Sequence, residues 1–174
     1  FVKDVLTMKD LLISLGSKVE FIKEKKIIKI TNNKKHKLIV PYNLVSTMRA
    51  GVLTMGPLLA RYPKSKIRVA LGGGCALGIR DTSWHLSGFK SLGADNTLNR
   101  GYVNIYSKNG LKGNIFKFPK VTVTGSSNLI MASVLIKGEH IIKNISIEPE
   151  VKDLIKFLNN SGAKIKFIGK RSIK

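Results

Sequence analysis

The stretch VKDLIKFLNNSGAKIKFI (residues 151–168) decides how this chain is read. Leu154, Phe157 and Leu158 fall on one helix face, and Gly162 follows where a helix that closes in a left-handed turn wants a residue without a Cβ. Beyond the glycine the period changes: residues 164–168 alternate basic and apolar, the pattern of a half-buried strand. A helix that stops at a glycine and feeds a strand is therefore expected. The same pattern occurs in TMKDLLISLGSKVEFI (residues 7–22), with Leu11, Leu12 and Leu15 before Gly16 and a strand over 18–22. A shorter version, LSGFKSLGAD (residues 86–95), ends at Gly93.

These segments organise the rest. Residues 26–31 and 101–106 read as return strands that close hairpins. Between the hairpins, residues 44–61 are apolar on one side and stop near Pro63, so a second kind of helix is expected there. Residues 126–136 form another, opened by Ser and Asn and closed by Lys137-Gly138, and strands are expected at 66–71 and 140–145. The unit is helix, strand, helix, hairpin, and it returns after about 70 to 77 residues. On this frame the chain holds two full units with a partial one in front. It begins just before a closing helix and ends just after a first hairpin strand, which predicts exposed apolar edges.

Composition narrows the class. With 174 residues and 43% apolar content the chain can bury a core, so an ordered α/β domain is expected. No window holds the roughly 18 to 20 uninterrupted apolar residues of a membrane span, and the first residues lack a signal-peptide pattern, which points to a soluble, cytoplasmic protein. A single cysteine makes no internal disulfide. His36, His85 and His140 lie far apart with no second ligand at metal spacing, so they read as surface or core histidines and no metal site is expected.

Charge asks for an anion, since 31 basic residues face 10 acidic ones for a net +21. A basic nucleic-acid-binding module is one reading, because neutralised phosphates release counterions. The distribution argues against it. Lysine, not arginine, dominates and is spread along the chain, densest at 23–37 and 164–174, without interleaved aromatics that would stack on bases. Solvated lysine-rich faces, or attraction of a small phosphorylated substrate, fit better.

The run LGGGCALGIR (residues 71–80) holds Cys75 behind three glycines, with Arg80 five residues on. On these residues alone Cys75 is either a small buried hydrophobe or a thiol whose pKa is lowered below about 8.5 by a nearby arginine and exposed backbone N–H groups. The glycines match neither GxGxxG nor a Walker loop, so a dinucleotide or nucleoside-triphosphate cradle is not expected.

Taken in order, PYNLVSTMRA (41–50), GPLLAR (56–61), GGCALGIR (73–80), HLSG (85–88), FPKVTV (118–123) and EPE (148–150) closely resemble the UDP-N-acetylglucosamine enolpyruvyl transferase family, along almost the whole chain. The resemblance implies an inside-out α/β barrel-type domain of repeated units, here incomplete, residues 1–174 being part of a first domain with a second domain absent. The family's opening Lys-Asn pair for phosphoenolpyruvate and the catalytic aspartate and arginines of its second domain have no counterpart here. It implies transfer of the enolpyruvyl group from phosphoenolpyruvate to the 3-hydroxyl of UDP-N-acetylglucosamine, the first committed step of peptidoglycan synthesis, with no metal or organic cofactor. The alternatives are an inactive remnant and half of a split enzyme that needs a separately encoded second domain.

By the same resemblance Cys75 corresponds to the lid-loop proton donor. Arg49 and Arg80 correspond to arginines on the nucleotide-sugar side and between the two substrates. Asp81, Thr82, Ser83 and Trp84, with Lys120, Val121, Thr122 and Val123, correspond to the two segments that hold the nucleotide sugar. Glu148 and Glu150 read instead as acids at a helix start. There are departures. Asp81-Thr82-Ser83-Trp84 stands for the family's Pro-Val-Asp-Leu, Gly72 for a proline, and Thr124 for a glycine, which adds a side chain where the family's backbone approaches its ligand.

Overall fold

The computed structural model describes residues 2–32, 35–46, 48–71 and 82–174. The first helix, α1 (Lys3–Leu15), buries Leu11 and Leu15 and closes on Gly16 at φ +107°, where the Gly16 N–H donates to the Ile13 carbonyl and the Ser17 N–H to that of Leu12. It feeds an antiparallel hairpin, β1 (Lys18–Ile22) and β2 (Ile27–Thr31), paired from Lys18 opposite Thr31 to Ile22 opposite Ile27. Then come β3 (Ile39–Val40), a short α2 (Tyr42–Val45), a 3₁₀ turn (Arg49–Thr54), α3 (Met55–Arg61) and β4 (Ile67–Ala70).

The order then recurs. Helix α4 (Ser83–Ser91) leads to the hairpin of β5 (Asp95–Asn99) and β6 (Tyr102–Tyr106), turned by Arg100 and Gly101, both at positive φ. Strand β7 (Ile115–Lys117), helix α5 (Val123–Ser133) and strand β8 (Ile141–Lys143) follow. The last helix, α6 (Pro149–Asn160), feeds β9 (Phe167–Gly169) and β10 (Ser172–Ile173). Two four-stranded sheets result, ordered β3-β4-β6-β5 and β7-β8-β10-β9, with one connectivity. In each, a parallel pair bridged by a helix joins an antiparallel hairpin through the hairpin's second strand. The repeat is thus real in three dimensions.

Its contents differ from the sequence reading in four places. The unit has a further strand, β3 or β7, ahead of its bridging helix; two or three residues are too few to show a period, and their partners lie a whole crossover away. The helix expected over 44–61 is broken into α2, the 3₁₀ turn and α3. Pro57 falls in the first turn of α3, where its missing N–H costs no helix bond, so a restart at Met55 suits it. The strand expected from residue 164 begins later, because the Asn159 side chain takes both the N–H and the C=O of Ile165 at 2.8 and 2.9 Å. Finally, the chain does not stop after a first hairpin strand, since β10 closes the last hairpin.

Helix α5 is the centre of the core. Almost all of it is buried, from Gly125 to Ile130 and again at Ala132 and Ser133, with α3, α4 and α6 packed around it. The sheets lie outside these helices and turn Ile67, Val69, Val103 and Ile105 toward them. Contact with α3 is closest at Gly56, where any Cβ would overlap the Asn128 carbonyl oxygen and side chain. Against α4 the approach is at Gly88, where a Cβ would press on Leu129 at 3.1 Å.

The first hairpin is the odd one out. Strands β1 and β2 form a two-stranded sheet, and Ile27, Ile28 and Ile30 of β2 are exposed. Between α1, α3, α5 and α6 an apolar groove of about 490 Å³ runs past Leu12, Leu53, Pro57, Met131 and Leu158. Exposed apolar surface is thus found at the first hairpin and beside α1 among the described residues.

The close approach at Gly56 is testable. Gly56→Ala should destabilise the fold by about 3 kcal/mol, because α3 must lift from α5. Gly169→Ala, whose Cβ would meet ordinary contacts at 3.8 Å, should stay within about 0.5 kcal/mol. Thermal or urea unfolding of both variants measures the difference.

Candidate functional site

Of the residues implicated from sequence, Cys75, Arg80 and Asp81 lie outside the described residues, as do Gly72 to Gly74. Arg49 opens the 3₁₀ turn, and its side chain lies outside the description as well. The others fall at two helix starts. Thr82 occupies the N-cap position of α4, with Ser83 exposed and Trp84 half-buried in its first turn. Lys120 and Val121 are exposed just ahead of α5, Thr122 is its N-cap, and Val123 its first residue.

Thr122 caps α5 in the way its chemistry allows. Its backbone is extended and its hydroxyl accepts from the Gly125 N–H at 3.2 Å, satisfying one of the helix's open donors. Ser126 donates back to the Thr122 carbonyl. Gly125 is required here, because a Cβ would overlap the Thr122 methyl. Neither α4 nor α5 carries an acid in its first turn, so no carboxylate of either helix's own first turn neutralises the partial positive charge of its start.

Two buried side chains tie these starts together. His85 on α4 and Asn128 on α5 meet at 2.9 Å between His85 Nδ1 and Asn128 Nδ2. Asn128 also accepts from the Gly56 N–H at 2.7 Å and donates to the Val52 carbonyl at 2.9 Å. The other ring nitrogen of His85 lies 3.4 Å from the Thr124 hydroxyl. The start of α4, the start of α5 and the 3₁₀ turn that begins with Arg49 are thereby drawn into one place. Thr124, which the sequence reading places as an added side chain beside the ligand, turns its hydroxyl to His85.

Sequence reasoning left His85 as one of three unassigned histidines and passed over Asn128. The signal was present in SSNLIMAS (126–133), where a carboxamide interrupts an apolar helix and must find partners if buried. Glu148 stands at the N-cap of α6 but makes no side-chain cap bond, while Glu150 sits in the first turn, where its charge opposes the helix dipole's positive end. No helix among the described residues is long and apolar enough to cross a membrane.

Comparison with known proteins identifies relatives of the whole chain. The family model for EPSP synthase (3-phosphoshikimate 1-carboxyvinyltransferase) matches residues 1–174. The UDP-N-acetylglucosamine 1-carboxyvinyltransferase of Pelagibacter ubique is 47% identical over 173 residues, covering 99% of this chain and 40% of that protein. The protein of the same name from Coxiella burnetii is 42% identical over 170 residues, covering 98% and 38%. Among solved structures, the enolpyruvyl transferase NikO from Streptomyces tendae superimposes with a TM-score of 0.81 at 14% identity, over 99% of this chain and 40% of that one. An EPSP synthase from Acinetobacter baumannii gives 0.70 at 20% identity, over 99% and 39%. The chain therefore spans about 40% of the length of the relatives it matches.

The cap at Thr122 carries a prediction of its own. Thr122→Ala should cost about 1 kcal/mol of stability and Thr122→Ser almost none, since only the hydroxyl is needed. Chemical denaturation of the two variants reads this directly.

Proposed function

The chain belongs to the EPSP synthase (3-phosphoshikimate 1-carboxyvinyltransferase) family, and from that premise we propose that it forms part of the first domain of an enolpyruvyl transferase. The enzyme would act in the cytoplasm, at the first committed step of peptidoglycan synthesis. The reaction joins the 3-hydroxyl of UDP-N-acetylglucosamine to the central carbon of phosphoenolpyruvate, with a proton delivered to the methylene. The hydroxyl gives up its own proton in that addition, and a proton is then lost from the resulting methyl as phosphate leaves, so the enol double bond returns. The relatives' names favour this acceptor over 3-phosphoshikimate.

The observation that carries the reading is the convergence of the α4 and α5 starts around His85 and Asn128. Backbone N–H groups at helix starts favour anions, and Lys120 stands immediately before one of them. On this reading residues 82–84 and 120–123 hold the diphosphate and uridine of the nucleotide sugar. Arg49 and Arg80 supply guanidinium groups suited to two-pronged contact with phosphate. Cys75 would be the proton donor to the methylene carbon. Since the chain spans about 40% of its relatives, the rest of the active site would come from outside these residues, in the same polypeptide or in a separately encoded second domain.

The purified chain should bind UDP-N-acetylglucosamine with amide shifts concentrated at 82–84 and 120–124, and Lys120→Ala should weaken binding about tenfold, as loss of a charged hydrogen bond would. It should release no phosphate from phosphoenolpyruvate on its own. Shifts scattered over the lysine-rich hairpins, or equal binding of duplex DNA at low salt, would instead support the nucleic-acid reading.

A further inference from the structure

Asn128 lies wholly buried in the middle of α5, and each of its polar atoms is engaged. The polarity of the cluster follows from two groups whose roles are fixed. The Gly56 N–H can only donate, and the Val52 carbonyl can only accept. The carboxamide oxygen of Asn128 must therefore face Gly56, at 2.7 Å, and its NH₂ must face Val52, at 2.9 Å. The second hydrogen of that NH₂ points to His85 Nδ1, 2.9 Å away. A ring nitrogen facing an N–H donor has to offer its lone pair. Hence His85 is the neutral tautomer with its proton on Nε2, and that N–H lies 3.4 Å from the Thr124 hydroxyl oxygen.

We propose that Asn128 is a positioning residue that holds His85 as the Nε2–H tautomer and, through it, sets the hydrogen-bond polarity of Thr124 at the start of α5. The hydrogen bonds run one way, from Asn128 NH₂ to His85 and from His85 to Thr124. Thr124, receiving at its oxygen, keeps its own proton for an outside acceptor. The opening turn of α5 thus presents donors, the arrangement an anionic group such as a diphosphate requires. The inverted tautomer would set two N–H groups against each other at Asn128 and turn a lone pair toward Thr124. The substrate side of this inference rests on the enolpyruvyl transferase reading; the tautomer does not.

The experiment uses the whole chain with ¹⁵N-labelled histidine. Long-range ¹⁵N–¹H correlation should show His85 with an unprotonated Nδ1 and a protonated Nε2. In Asn128→Asp, where a carboxylate faces the ring, Nδ1 should become protonated. Thr124→Val, which keeps the side chain's shape, should weaken UDP-N-acetylglucosamine binding about fivefold, while Thr124→Ser restores it. A protonated Nδ1 in the unsubstituted chain overturns the inference, and that measurement needs no variant to fold. Unchanged binding in Thr124→Val, where the parent chain binds, overturns the role given to Thr124. If the parent chain binds no nucleotide sugar, the substrate reading fails, and the His85 tautomer still decides the role of Asn128.

Discussion

The structure depends on one close approach, that of α3 to α5 at Gly56. Without a side chain at this position the α3 backbone comes down onto Asn128, near enough for its N–H to reach the carboxamide. A buried carboxamide left unpaired would cost about 1 to 3 kcal/mol, so the same contact that demands a glycine also satisfies an asparagine. Asn128 then spends its remaining donors on Val52 and His85. A packing constraint is in this way converted into a polar junction of four elements, α3, the 3₁₀ turn, α4 and α5, and the candidate site is assembled at that junction.

Around α5 the chain repeats a unit of helix, hairpin and bridged parallel pair. Helix α5 sits innermost because its residues are apolar or small and polar with partners nearby; covered by α3, α4 and α6, it has almost no exposed face. Sheets gather outside because they have only one apolar face to give. The hairpin β1–β2 shows what the unit looks like without its parallel pair: a two-stranded sheet with exposed isoleucines beside an open apolar groove. Two-stranded sheets are marginal on their own, so this region leans on α1 for its stability.

The parts of the fold legible in sequence were those set by local chemistry. Gly16, Gly93 and Gly162 all take positive φ, at +107°, +88° and +102°, because a left-handed cap selects for glycine whatever surrounds it. The strands β3 and β7 were not legible, since a few residues acquire strand geometry only from a distant partner. For the site, residues 82–84 and 120–123 were singled out by family resemblance, and their proximity could not be read from the chain. It is made by Asn128 and Gly56, 72 positions apart, and by Asn128 and His85, 43 apart. The direction of the Thr124 hydroxyl was hidden for the same reason, since the group it faces is a histidine on another helix.

Native-state amide exchange followed residue by residue tests most directly whether α5 and its contact with α3 hold the domain together. The account predicts that α5 amides, with those of α3 and α4 facing them, exchange only through global unfolding, while β1–β2 opens locally at a free energy lower by about 2 kcal/mol. Equal protection of the β1–β2 hairpin and α5, or α5 exchanging ahead of the hairpins, would contradict it.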